Sequence, residues 1–166
     1  MTIGLFGLAT FMAASGAGDP FLKTTLFVFY CLLIVSTFFS VRFFMQITPL
    51  RDWRQQLMNV LLLAIFVLLA TRFDDPLTFI ILVALLFSLA TVKYILLAWV
   101  IEDELALSQK ILVDSLGTAV SILVILGVAA GYEVLAIFGG GIIFLLANIY
   151  IIVIKPIYVV PKTNED

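Results

Sequence analysis

Long apolar runs separated by short polar breaks organise the chain. A helix rises 1.5 Å per residue, so about 20 apolar residues cross the roughly 30 Å hydrocarbon layer of a bilayer. The runs stop where charge clusters with Pro or Gly. "GAGDP" at 16–20 ends a short first segment, and a second run covers about 21–46. "TPLRDWRQQ" at 48–56 interrupts, and the next run spans 57–71. "RFDDP" at 72–76 is both stop and turn, because Pro76 can open the following helix without needing its own N–H. The run 77–101 ends in "EDE", and 111–130 and 134–154 follow, joined only by "GYE" at 131–133. The pattern predicts an all-α, polytopic integral membrane helical bundle with short loops. It forms a single transmembrane domain over 1–166, with five transmembrane helices, or six if residues 2–15 also cross. That first segment has a signal peptide's apolar stretch and small residues but lacks its basic start, so we read it as a short membrane helix or half-span.

Composition strengthens the membrane reading. Hydrophobic residues make up 64% of the chain and the mean hydropathy is +1.25. Soluble domains sit at roughly 45–50% apolar, so a chain this rich has too little polar surface to coat a water-soluble globule. Numbering the faces alternately, one collects Arg42, Arg51, Arg54, Lys93, Lys110, Lys155 and Lys162, and the other only Lys23 and Arg72. The positive-inside rule then places the 48–56 loop, the 102–110 loop and the C-terminus in the cytoplasm, as expected for a prokaryotic cytoplasmic (inner) membrane protein. Arg42, Trp53, Arg54 and Trp99 suit interface anchors, with aromatic or aliphatic bodies in the headgroup layer and polar tips in water.

Several chemistries are poorly supplied. There is no histidine, which removes the commonest zinc and haem ligand and the usual nucleophile–base pairs. The single cysteine, Cys31, lies in an apolar run and has no intrachain partner. No phosphate-cradling loop or metal-ligand cluster is visible, and no basic stripe suits nucleic acid. A two-aspartate intramembrane protease needs a second acid at depth, and only Asp114 qualifies. We expect no catalytic residues, no metal, no cofactor and no nucleic-acid partner; the partners are the lipid bilayer and other membrane-protein subunits or further copies of the chain.

The informative residues are those that break apolar runs. Lys93 lies about eight residues before the "EDE" cluster, roughly 12 Å along a helix. Flanked by Tyr94 and Trp99, it suits a cation whose stem reaches back to the rim. Asp114 stands four residues past Lys110, about 6 Å inside the same face. A lone charge in lipid costs about 2.5–3.5 kcal/mol on insertion scales, so Lys93 and Asp114 are expected to pair across adjacent helices, as an ion pathway or as a structural clamp. "GVAAG" has glycines at 127 and 131, suited to close packing or, for Gly131, to a helix cap. Gly139, Gly140 and Gly141 sit inside a span, where they let another backbone approach or mark a break lining a cavity. Asn148 is placed to hydrogen-bond a neighbouring helix.

"KILVDSLGTAV", Lys110 to Val120, resembles the basic-apolar-apolar-x-Asp-x-Leu-Gly-Thr pattern of the small F-type subunit of multisubunit cation/proton antiporters. The similarity extends over 104–154, about a third of the chain. "EDELALS" replaces the family's Gly-Pro before this helix, and the N-terminal spans are not that family's. The resemblance implies a transport role for Asp114. With short loops and small-residue helix surfaces, it points to a non-enzymatic subunit packed within a larger membrane complex and associated with ion translocation. The alternatives are a homo-oligomeric small channel or transporter, and a membrane sensor or regulator signalling through the 48–56 and 102–110 loops.

Overall fold

The computed structural model describes residues 2–15, 19–47, 53–99 and 104–154. Six helices follow one another: α1 (Thr2–Ser15), α2 (Pro20–Ile47), α3 (Trp53–Ala70), α4 (Pro76–Ala98), α5 (Glu104–Ala129) and α6 (Glu133–Ile149). A π-helical turn, Tyr150–Ile154, continues α6. The described residues contain no strand. Residues 48–52 of the expected 48–56 break, with Arg51, the acids Glu102 and Asp103, and the C-terminal residues 155–166 with Lys155 and Lys162 lie outside the described residues.

Four helices, α2 to α5, are long and apolar enough to cross a membrane. The fifth expected span is shorter by itself, since α6 has 17 residues. With its π turn it makes one helical run from Glu133 to Ile154, on the order of 30 Å long. Helix α1, with 14 residues, is roughly 21 Å long and falls short of the hydrocarbon thickness. Helix α3 begins at Trp53 rather than at Leu57. Arg and Gln are good helix formers, so polarity in "WRQQ" moves the segment toward the interface without ending the helix.

The turns have local causes. Asp75 caps α4, its Oδ1 accepting the Thr78 N–H at 3.1 Å, and Pro76 fills the first helical position. The hydrogen bonds from Thr78 hold the Asp75 carboxyl below its ordinary value. Helix α5 ends on Gly131 at φ +88°. The Tyr132 N–H donates to the Gly127 carbonyl at 2.9 Å and the Gly131 N–H to the Val128 carbonyl at 3.0 Å. That pattern is a Schellman cap, which needs the left-handed residue that glycine supplies.

Packing follows chain order, α3 against α4, α4 against α5 and α5 against α6, and closes when α6 returns to α2. Phe29 stacks on Phe144 with centroids 4.7 Å apart across that closing contact. Near the 71–75 turn, Tyr30 is wholly buried beside Phe66 and Phe73. Its hydroxyl donates to the Phe66 carbonyl at 3.1 Å, which satisfies the one polar atom of a buried aromatic. A second core of Phe43, Phe44, Tyr94, Leu97 and Leu107 fills the opposite end.

The outer surface is as apolar as the interior. Leu123, Leu126 and Leu146 are at least 60% exposed, which water would penalise and lipid does not. Hydroxyls inside the helices bond back to their own backbone: Thr25 to Phe21, Ser88 to Ala84, Thr91 to Phe87 and Ser121 to Gly117. Self-satisfaction of this kind is what a hydrocarbon solvent requires. The chain is an integral membrane helical bundle.

Candidate functional site

Polar side chains converge where α2 and α4 end and α3 and α5 begin. Lys93 on α4 and Lys110 on α5 are each 7% exposed, and Asp114, one turn beyond Lys110, is 1% exposed. Lys110 Nζ donates to Asp114 Oδ1 at 2.6 Å within α5. Lys93 Nζ donates instead to Asn59 Oδ1 on α3, at 2.7 Å. Tyr94 stands between the two ammonium groups, 5.3 Å from Lys93 Nζ and 5.4 Å from Lys110 Nζ to its ring centroid. Both distances lie within the reach of cation–π attraction. The Tyr94 hydroxyl shares a 2.7 Å hydrogen bond with Ser40 Oγ on α2. Four helices therefore contribute to one polar layer.

The expected Lys93–Asp114 contact is not made. Lys110, one turn away on the same helix, already occupies Oδ1, and the i, i+4 spacing makes that pairing local. The second carboxylate oxygen, Asp114 Oδ2, is buried without a hydrogen-bond partner among the described residues. This unfilled acceptor is the main chemical feature of the layer, since a buried carboxylate is costly unless its oxygens are engaged.

The remaining candidates separate. Gly127 and Gly140 are contact points: a Cβ on Gly127 would lie 2.8 Å from Ala136 Cβ, and one on Gly140 would lie 2.6 Å from Val124 Cγ2. Gly131 serves the helix cap. Added Cβ atoms at Gly139 and Gly141 would meet nothing within 4 Å. Asn148 does not reach across to a neighbour. Its Nδ2 donates to the Phe144 carbonyl of its own helix at 2.9 Å, and its buried Oδ1 has no partner. Hydrocarbon favours this local bond because it needs no second helix in register. Trp53 and Trp99, 67% and 85% exposed, lie with exposed Arg42 and Arg54 at the end of the bundle that holds the polar layer.

Asn59, Ser40 and Gly117 complete the arrangement without a distinctive sequence signal. A Cβ on Gly117 would come within 2.8 Å of the Phe87 ring, so this glycine sets how closely α4 and α5 approach. For Lys110 the signal existed, because its distance of four residues from Asp114 is the spacing of a helical ion pair. Among the described residues no three Cys, Asp or Glu side chains gather as a metal site. No family model matches the chain, and neither does any curated protein or solved structure.

Proposed function

We propose that this protein is a non-enzymatic subunit of a larger membrane complex associated with ion translocation. The observation that carries the reading is Asp114: a carboxylate 1% exposed, on a helix apolar enough to cross a membrane, bonded through one oxygen and open at the other. Ionisable groups at such depth are expensive and usually belong to ion or proton paths. The resemblance of Lys110–Val120 to the antiporter subunit selects the same residue. The cation-rich end faces the cytoplasm in this reading, with the chain in a prokaryotic inner membrane.

Two measurements on one preparation test it. The mass of the assembly solubilised gently from native membranes should exceed that of the 18.3 kDa chain and include other polypeptides. Asp114→Asn should abolish cation-dependent proton flux in vesicles that contain the complex, measured on the fraction whose assembly mass is that of the wild type. A mass equal to a whole multiple of this chain alone would favour the homo-oligomeric channel instead. Unaltered flux in Asp114→Asn would remove the aspartate from the ion path.

A further inference from the structure

A cavity of about 300 Å³ lies between α2, α4, α5 and α6, within the size range of ligand pockets. One end is lined by Lys110, Asp114 and Asn148, and the walls toward the other by Phe87, Val124 and Gly141. Asp114 and Val124 are ten residues apart on α5, so the chamber extends about 15 Å along that helix. Leu116 and Ile143 line it too and are 57% and 52% exposed, which opens it sideways between α5 and α6 to the surface that lipid covers. The helices touch tightly at Gly127–Ala136 and Gly140–Val124, and the space lies on the Asp114 side of those contacts.

The ammonium of Lys110 at the polar end is engaged by Asp114 Oδ1. The two buried atoms there without a partner among the described residues, Asp114 Oδ2 and Asn148 Oδ1, are both acceptors, and their residues are 1% and 6% exposed. An anionic or acceptor-only head group would meet them with repulsion. A cationic head would approach a carboxylate already facing the ammonium of Lys110. A neutral O–H group satisfies the acceptors without adding charge. The apolar walls then require an aliphatic or isoprenoid body.

We infer that the cavity between α2, α4, α5 and α6 binds a long-chain neutral alcohol, its hydroxyl donating to Asp114 Oδ2 or Asn148 Oδ1 and its chain lying along Val124 and Phe87. The inference goes beyond the ion-translocation reading and does not depend on it, because its test reads binding rather than flux. The same chemistry could come from a free alcohol or from the hydroxyl of a neutral diacyl lipid.

The test uses the full chain in phosphatidylcholine vesicles, with a diazirine-bearing hexadecanol as photoprobe and peptide mapping as readout. Labelling should be saturable and should fall on the cavity faces of α5 and α6. Excess dodecanol should compete, whereas dodecane and dodecyltrimethylammonium should not. Dioleoylglycerol competing as well as dodecanol identifies a lipid source, and failure to compete a single-chain one; either supports the site. Gly141→Leu fills space where an added Cβ meets nothing within 4 Å, and should abolish the saturable labelling without unfolding the protein. Asn148→Leu should weaken competition roughly fivefold, the factor for one hydrogen bond of about 1 kcal/mol. Non-saturable labelling, equal competition by dodecane or by the quaternary amine, or indifference to Gly141→Leu would overturn the inference and leave the cavity occupied by ordinary lipid chains.

Discussion

Two ion pairs among the described residues are of almost equal length and very different character. Lys23 Nζ lies 2.5 Å from Asp74 Oδ1, with the aspartate side chain 48% exposed. Lys110 Nζ lies 2.6 Å from Asp114 Oδ1, with that side chain 1% exposed. Water reaches the aspartate of the first although its lysine side chain is only 9% exposed, so that pair loses more in salt. The second has given up hydration on both partners. Its net worth against an apolar replacement is small, yet removal of one partner strands a charge where solvent cannot reach it. Distance alone does not rank the pairs; burial does.

Four substitutions sharpen that contrast, in decreasing order of effect. Asp114→Ala should destabilise by about 3 kcal/mol, because Lys110 loses its anion at depth. Adding Lys110→Ala should recover part of the loss in a denaturant titration of the detergent-solubilised protein. Additive losses would mean that the pair is not coupled. Gly140→Leu comes next, at about 2 kcal/mol, since its Cβ meets Val124 at 2.6 Å. Gly139→Leu, whose Cβ meets nothing within 4 Å, is the matched control and should stay near wild type in the same titration.

Asp75→Ala should cost about 1 kcal/mol by removing the α4 cap. The sign of its pH dependence follows from the bonds of Thr78, which lower the carboxyl's folded pKa. Its contribution is present above the unfolded carboxyl value of about 3.9 and disappears as pH falls through the lower folded value. The stability gap between wild type and Asp75→Ala should therefore close in acid, and a gap that widens on acidification would contradict the assignment. Asp74→Ala leaves Lys23, 9% exposed, without its anion but beside a turn that water reaches through the 48% exposed aspartate, so its cost should fall below that of Asp114→Ala and shrink in salt. A loss matching that of Asp114→Ala would erase the contrast between the two pairs.

The helical class and most helix positions were legible because each apolar run is bounded by charge with Pro or Gly, and Pro76 and Gly131 act at the turns as their chemistry dictates. The polar layer was only partly legible. Depth along a helix follows from counting residues, so Lys93 and Asp114 were expected near one level. Which partner each would choose depends on rotation about the helix axis and on Asn59, a residue that looks ordinary inside "LMNVLL". The glycine triplet shows the same limit. One glycine packs and its neighbours do not, because successive residues point about 100° apart around the helix. Only the position of Val124 says which one is constrained.

The return of α6 to α2 has a consequence for biosynthesis. Neighbours in the chain can dock as they emerge, but Phe29 waits for Phe144, more than a hundred residues later. The helical hairpins before it involve short loops, whereas this last closure joins segments far apart in sequence and is the slow kind of contact to form. Through most of translation, the face of α2 that will line the finished chamber lacks its α6 neighbour and is open to the bilayer. A nascent chain arrested before Glu133 would present a three-walled trough, with Asp114 at one end and lipid tails along its length. The final helix thus acts as the fourth wall fitted during synthesis, and whatever fills the trough at that moment is either expelled or left with the opening between α5 and α6 as its way out.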